Sequence, residues 1–342
     1  MPLLAIVLSV AVALWSGWWW IAATAMDRGA GAAFAALEDQ GWHAGTSDVT
    51  VRGYPNRLDL TVSSPYLRDP VTGLEWQAPF VQLLTLSYRP WHVILALPPE
   101  QRVQTPAGRA DLASEKLQAS VVLRPETALP LDRITVAGDG LRLGYALTGG
   151  DMDMTVTVDK LRIGTRASAS RRLGHDLAAE LTGIMPDPRL IAALPAGTTL
   201  PGRIDRLRLD VEADFTAPLD RHAGETRPAP ETITLKDLTL DWGGLRITGS
   251  GSIMADAAGM PEGRMTFRIE NWPLALGVMQ AAGFVTPEVS PTWARMFGVL
   301  EEAGGVPGRI ELPLNFAKGR MSLGPLPLGL APQMRPALRA SG

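Results

Sequence analysis

The chain carries few side chains of the kinds that catalyse reactions or hold metals. It has no cysteine, so it offers no thiol nucleophile, no thiolate ligand and no disulfide. Its four histidines do not occur at the spacings that place two zinc ligands on one helix face. They are His43, His92, His175 and His222. The histidines therefore predict no metal site, and we expect His175 to be solvated or to cap a helix.

Paired carboxylates give no stronger signal for chemistry. Asp151 and Asp153 stand two residues apart, but no glycine and distal glutamate follow them at the spacing of an EF-hand loop. Glu301 and Glu302 lie at the end of a predicted helix and are typical of surface charge. Nucleophile-elbow, Walker and dinucleotide-binding glycine motifs are absent from the sequence. The sequence therefore predicts a protein that is not an enzyme and has no cofactor, although a catalytic site dispersed along the chain would leave no such motif.

The first 26 residues predict a membrane anchor. Pro2 to Ala25 contains no charged residue and no histidine, and its tryptophans lie in its second half. About 20 such residues in a helix cross a hydrocarbon core about 30 Å thick, and indole rings favour the membrane interface. We expect residues 3–25 to make one pass through the inner membrane, with the remainder in the periplasm. The alternative is a signal peptide cut after Ala23-Thr24-Ala25, a small-x-small sequence.

Residues 27–41 predict a short helix that continues from the anchor. Ala30, Ala33, Phe34 and Leu37 form one small apolar face at helical spacing, and Gly41 is suited to the residue just past a helix end. We expect this face to lie on the domain that follows.

Residues 42–330 alternate between apolar and polar side chains at a period of two, which is typical of half-buried strands. The clearest run is 203–215, in which one face is apolar and the other is charged. The fold class expected is mainly β with a few helices, including helices near 272–282 and 290–304. The sheet or sheets should be large, antiparallel and strongly curved, forming a half-open trough or two similar lobes, and residues 331–342 form a tail.

The two-lobe alternative depends on a faint internal repeat. Residues 134–143 align without gaps with residues 238–247, and both contain Gly-Leu-Arg at the same place. One interpretation is that two hairpins share turn chemistry. The other is that 42–170 and 200–324 are similar lobes. A helix over 171–185, capped by Ser170, would join them, with its apolar residues on one side. These are Leu173, Leu177, Leu181 and Ile184.

An apolar strand face is the best candidate for binding. Leu207, Leu209, Leu238, Leu240 and Trp242 are predicted to share it, and about three short predicted helices are too few to cover a dozen strands. Lipid acyl chains would suit such a surface. The alternative is an envelope scaffold without a ligand, in which charges around Arg206, Arg208 and Glu212 meet a protein partner. The net charge of −3 argues against nucleic acid as a partner.

Four short stretches resemble an uncharacterised family of bacterial membrane-anchored envelope proteins, DUF2125. They are GYPNRLDLT at 53–61, DWGGLRITGSG at 241–251, GRMTFRIENW at 263–272 and GRMSLGPLPL at 319–328. The resemblance covers nearly the whole chain and implies an N-terminal anchor and a periplasmic β-rich domain, with no catalytic residues to transfer. The layout is more distantly similar to AsmA-like proteins, whose β troughs are associated with lipid handling and outer-membrane maintenance.

Overall fold

The computed structural model describes residues 2–148, 153–324 and 326–335. The chain forms two compact units. The N-terminal unit comprises residues 1–125 and 134–155, and the C-terminal unit comprises residues 126–133 and 156–342. The described residues form twenty strands and five helices, and the strand pairs with a defined register are antiparallel. The expectation of a mainly β, antiparallel protein with a few helices is therefore confirmed.

One helix, α1, runs without interruption over Pro2–Asp39. It joins the predicted anchor and the predicted helix at 27–41, and it is long and apolar enough to cross a membrane. Its end has the geometry expected for a glycine stop. Gly41 has φ +90°, its N–H donates to Glu38 O, and Trp42 N–H donates to Leu37 O. This pair of bonds satisfies carbonyls that the helix leaves open at its end.

The C-terminal half of α1 lies on the N-terminal unit, as its apolar face predicts. Ala33, Phe34 and Leu37 line a small apolar cavity together with strand residues that include Val62 and Trp76. Further towards the N-terminus, Ala23 is the one described residue of α1 that is fully buried. The helix therefore contacts the unit at positions from Trp15 to Leu37 and is exposed over residues 2–14.

The N-terminal unit contains two ladders of short strands. One ladder has the order β2-β3-β6-β7-β10 and the other has the order β1-β4-β5-β8-β9-β11. The strands are β1 His43–Gly45, β2 Asp48–Arg52, β3 Arg57–Ser63, β4 Tyr66–Arg68, β5 Glu75–Gln77, β6 Phe80–Leu86, β7 Arg89–Leu97, β8 Glu100–Thr105, β9 Gly108–Ala113, β10 Lys116–Leu123 and β11 Leu131–Leu147.

The chain passes from one ladder to the other at aligned breaks, which we call the crease. Ser64 N–H donates to Pro79 O at 2.8 Å, and Ser114 N–H donates to Pro99 O at 2.8 Å. Pro65 and Pro98 lie at the same breaks. Proline has no N–H to donate to a ladder, so four prolines at aligned positions interrupt neighbouring strands together.

The C-terminal unit is a meander in which β12 to β20 pair in sequence order. Its strands are β12 Asp153–Ala167, β13 Gly174–Met185, β14 Ile204–Phe215, β15 Pro230–Trp242, β16 Leu245–Ala255, β17 Pro261–Glu270, β18 Arg309–Ala317, β19 Arg320–Leu323 and β20 Leu326–Leu330. Its helices are α2 Pro188–Ala192, α3 Ala223–Thr226, α4 Trp272–Ala281 and α5 Ser290–Gly304. The helices expected near 272–282 and 290–304 are confirmed.

The prediction of a helix over 171–185 is wrong, because this segment contains strand β13. Leucines four residues apart fit a helix face, but they also fit one face of a strand, where every second residue points the same way. In the structure Leu177 lies opposite Val211 and Leu181 lies opposite Leu207. His175, expected to be solvated or capping, lies on the same strand with only 7% of its surface exposed, against the ring of Phe215.

The two aligned segments of the faint repeat also fold differently. Residues 238–247 form the expected hairpin, with Gly243 at φ +56° in the turn between β15 and β16. Residues 134–143 lie inside the single long strand β11. There Gly140 has φ +59°, and the preceding carbonyl of Asp139 accepts from Glu115 N–H. The glycine therefore makes an irregularity within a strand instead of a turn, and the two-lobe organisation stays a prediction without its joining helix.

Two hydrophobic clusters form the core of the C-terminal unit. The larger lies under α4 and α5 and includes Trp242, Phe297 and Ile310, which are 1–3% exposed. The smaller includes Ile253, Phe316 and Ala331. Arg335 donates to Asp256 O at 2.9 Å, so the first five residues of the predicted tail pack against this cluster. Residues 336–342 lie outside the described part of the chain.

Candidate functional site

Strands β14 and β15 bring the four predicted leucines together. Leu207 lies opposite Leu240, and Leu209 lies opposite Leu238. Residues directly opposite one another in an antiparallel pair project from the same side of the sheet. We call Leu207, Leu209, Leu238 and Leu240 the leucine face.

The leucine face is the middle of two apolar rows that cross the whole unit. The first row continues to Leu181 and Leu161 on one side. On the other side it continues to Ile247, Ile269 and Ile310. In the second row Gly249 lies opposite Leu238, and a Cβ at this glycine would come within 2.8 Å of the Phe267 ring. The missing side chain thus makes room for an aromatic ring beside Leu238.

Burial changes along the first row. Ile269 and Ile310 are 8% and 1% exposed, because the large cluster under α4 and α5 includes them. Leu207 and Leu240 are only half-buried, as are Leu209 and Leu238. Within the described residues, neither hydrophobic cluster includes a member of the leucine face. The helices of the unit therefore cover one end of the rows and not the leucine face.

Trp242 differs from the four leucines although it alternates with them on β15. Its side chain is 3% exposed and belongs to the large cluster, and its indole N–H donates to Pro201 O at 2.7 Å. Trp242 is a core residue, so its expected place on an accessible face is corrected. The alternation of apolar and polar residues predicts on which side of the sheet a residue lies, but it does not predict which elements cover that side.

The carboxylate of Glu301 links the two helices that cover the large cluster. Glu301 on α5 accepts from the Trp272 indole N–H at 2.6 Å and from Gly308 N–H at 2.7 Å. These two hydrogen bonds, the backbone bond first, lower the pKa of Glu301 from its ordinary value of 4.5. The pair predicted to be plain surface charge therefore contains one residue that ties α5 to the start of α4.

The opposite side of the same strands is charged, and its charges pair with one another. Lys236 lies 3.4 Å from Glu212, and Arg208 lies 3.9 Å from Asp237. Arg206 lies opposite Asp241 in the β14–β15 register. The three residues proposed for a protein partner thus face opposite charges on the neighbouring strand.

A separate candidate site is a cavity in the N-terminal unit at the crease. This cavity has a volume of about 570 Å³. Gln101, which is 9% exposed, lines this cavity. Its side-chain Oε1 accepts from the Trp76 indole N–H at 3.4 Å. Its buried Nε2 has no hydrogen-bond partner among the described residues. Arg102 donates to Asp111 at 2.9 Å and lowers the pKa of that carboxyl. The sequence analysis missed this cavity, and the repeated X-Pro steps at the strand ends were the available signal.

The described residues contain no group of three side chains suited to holding a metal ion. Resolved pKa shifts in this part of the chain are all downward, because hydrogen bonds stabilise the ionised carboxylates. They affect Asp69, Asp111, Glu288 and Glu301. Asp151 lies outside the described residues, and Asp153 begins β12.

Comparison with known families decides the membership of this chain. The family model described as an uncharacterized protein conserved in bacteria, DUF2125, matches residues 19–332. The chain belongs to the DUF2125 family. The match begins inside α1, so it includes the second half of that helix as well as both units. No curated protein and no solved structure matches the chain, and the more distant AsmA-like resemblance is not shown by these comparisons.

Proposed function

We propose that this DUF2125 protein is a membrane-anchored periplasmic protein that binds lipid acyl chains on the leucine face without catalysing a reaction. The observation that carries the proposal is the partial exposure of four adjacent leucines that belong to neither buried cluster. Contiguous apolar surface that the chain itself leaves uncovered is typical of ligand or partner sites. An acyl chain is flexible and wholly apolar, so it suits a flat surface that offers no directional polar group.

The energy available from this surface is modest and fits weak binding. Full burial of one leucine side chain contributes about 1.5–3 kcal/mol. Since each of the four leucines has at most about a third of its surface exposed, covering them would add at most roughly 2–4 kcal/mol in total before the cost of ordering the ligand. That range fits reversible association with a lipid.

The charged side of the sheet gives less support to the scaffold alternative. Glu212 and Arg208 already have oppositely charged neighbours on β15. A partner that used them would have to replace these ion pairs, and exposed pairs contribute little to binding in any case. Among the described residues of this unit, neither hydrophobic cluster includes the leucine face.

The anchored state is supported by contacts along α1. The helix packs on the N-terminal unit from Ala23 to Leu37, and residues as early as Trp15 form hydrogen bonds with it. A signal peptide that is removed has no need of such contacts. We therefore favour a retained single-pass anchor in the inner membrane over a cleaved leader.

The test is native mass spectrometry of the full chain from membranes, with lipid extraction of the same sample. We expect wild-type protein to carry phospholipid, and the Leu209→Gln, Leu238→Gln double variant to carry several-fold less. The matched control is Leu143→Gln with Leu147→Gln, since these leucines are 44% and 43% exposed on β11, outside the leucine face. The control should keep its lipid.

Two results would contradict the proposal. The first is a wild-type protein that carries no lipid. The second is an equal loss of lipid in the leucine-face variant and in the control variant. A stoichiometric protein partner in lipid-free samples would favour the scaffold alternative.

A further inference from the structure

The turn between β2 and β3 is bound to the apolar half of α1. The Trp15 indole N–H donates to Pro55 O at 2.9 Å, and the Trp19 indole N–H donates to Arg57 O at 2.7 Å. Ser16 Oγ lies 2.8 Å from the hydroxyl of Tyr54, whose ring meets Trp19 edge to face at 5.5 Å. Four interactions therefore fix the turn at the level of residues 15–19 of the helix.

This level lies within the predicted membrane span. A span drawn from the uncharged residues 3–25 needs about 20 residues to cross the hydrocarbon core, so its boundary on the domain side lies at Ala22 or later. Trp15 and Trp19 then lie roughly 4–10 Å on the hydrocarbon side of that boundary, at 1.5 Å of rise per residue. The turn that they hold lies at the same depth.

The backbone carbonyls of the turn form hydrogen bonds within the protein, as a water-poor environment requires. Gly53 O accepts from Arg57 N–H at 2.8 Å, and Asn56 O accepts from Ser87 N–H at 2.9 Å. The indoles satisfy the carbonyls of Pro55 and Arg57, and proline has no N–H. Backbone polar groups at membrane depth must find partners in the protein, and these four carbonyls have them.

The side chains around the turn match the chemistry of a lipid interface. Tyr54 is 52% exposed, and Tyr88, on the adjacent β6–β7 turn, is 53% exposed. Arg57 and Arg89 lie on the two turns, and both residues pair with Leu86 in the sheet register. Arg57 forms an ion pair with Asp59 at 3.0 Å, so the exposed Arg89 is the charge that the tip offers to a headgroup. Tyrosine favours the interface, and arginine reaches from it to phosphate groups. We call residues 53–57 and 87–89 the tip.

We propose that the tip inserts below the interface of the leaflet on the domain side, with arginine at its base reaching back to anionic phospholipid headgroups. This inference rests on the proposed anchoring of α1. Insertion of the tip gives the N-terminal unit a membrane contact in addition to α1. The strands of the unit then lie against the bilayer surface.

The absence of cysteine allows a direct test by single-cysteine labelling of the full chain. Leu8→Cys, Asn56→Cys and Val71→Cys variants carry an environment-sensitive fluorophore and are reconstituted into vesicles of phosphatidylcholine and phosphatidylglycerol. Leu8 reports on the span and Asn56 on the tip. Val71 is the control, because it is 91% exposed on a loop of the same unit. Spin-labelled lipids then quench whichever fluorophores lie in the bilayer.

We expect the probe at position 56 to be quenched about as strongly as the probe at position 8 and several-fold more than the probe at position 71. If the probe at position 8 is quenched but the probe at position 56 is quenched no more than the probe at position 71, the tip does not insert, and the anchor stands. A probe at position 8 that escapes quenching would overturn the anchor itself. If Asn56→Cys fails to fold, Tyr88→Cys on the neighbouring turn gives the same readout.

Discussion

At the scale of single residues, Glu301 shows how one carboxylate can hold the cover of a core. Its two oxygens each accept one hydrogen bond, from the Trp272 indole and from Gly308 N–H. Trp272 in turn meets Phe297 edge to face at 5.6 Å, in the most deeply buried part of the unit. The ionised side chain is therefore linked to the packing under α5 through one aromatic neighbour.

The lowered pKa of Glu301 makes this contribution dependent on pH. A carboxyl whose pKa is lower in the folded state stabilises the fold above its unfolded pKa, about 4.5 here, and loses that contribution as the pH falls through its folded pKa. We expect Glu301→Gln to lower the unfolding temperature at neutral pH, with the difference from wild type shrinking on acidification. Thermal unfolding followed by circular dichroism at several pH values measures this.

The matched control for Glu301 is its neighbour Glu302, whose side chain is exposed. Glu302→Gln should leave the unfolding temperature almost unchanged throughout. A Glu301→Gln difference that stayed constant down to acid pH would mean that the ionised form does not carry the interaction.

At the scale of elements, two glycines have opposite roles, one inside α1 and one just past its end. Gly41 ends the helix at φ +90°, where residues with a side chain are strained, whereas Gly31 lies inside the helix with open space around its Cβ position. Left-handed backbone costs a non-glycine residue about 1–2 kcal/mol, and alanine is favoured over glycine inside a helix by about 1 kcal/mol. The two substitutions to alanine should therefore change helix stability in opposite directions.

We expect Gly41→Ala to speed amide hydrogen exchange in the last turns of α1, and Gly31→Ala to slow it. The measurement is hydrogen exchange by mass spectrometry on the full chain in detergent. Changes of the same sign in both variants would show that the helix end is not held by its glycine stop.

The crease is a second feature of elements, and its cause is chemical. Each interrupted strand pair has a proline at the break, such as Pro65 on one strand and Pro79 on the next. Because proline cannot donate to a ladder, the prolines limit how far each short strand runs before the chain changes ladder. The cavity lined by Gln101 opens at these breaks.

At the scale of the whole molecule, the proposed retention of α1 has a direct consequence. If α1 stays attached, the protein should resist alkaline extraction from membranes, and its mature mass should include residues 1–25. We expect deletion of residues 1–25 to release the remainder into the soluble fraction. Intact-mass measurement of the membrane-derived protein checks this, and a mature N-terminus at Met26 would instead support the signal peptide.

The family match and the structure agree on the extent of the domain. DUF2125 membership covers residues 19–332, which includes Trp19 at its start and the strands up to β20. Trp19 contacts the tip through its indole N–H and its ring. The family's shared region thus includes one of the helix residues that contact the tip, whereas Trp15 and Ser16 lie just before it.

The sequence by itself determined the features that depend on neighbours along the chain. The uncharged run defined α1, the alternation in 203–215 defined β14, and glycine marked the helix end at Gly41. Local periodicity and backbone preference decide such features, so they can be read without a fold. The alternation also predicted that Leu207 and Leu240 share one apolar side, although their direct pairing is given only by the structure.

Only the tertiary structure decided what covers each face. Leucines four residues apart in 171–185 fit both a helix and a strand, and pairing with β14 selected the strand. Trp242 and Leu240 share one side of β15, but the tryptophan is buried in the large cluster whereas the leucine is half-exposed. The helices that make this difference are separated from β15 along the chain. A face's cover is a non-local property, and hydrophobic burial depends on that cover as well as on the residue itself.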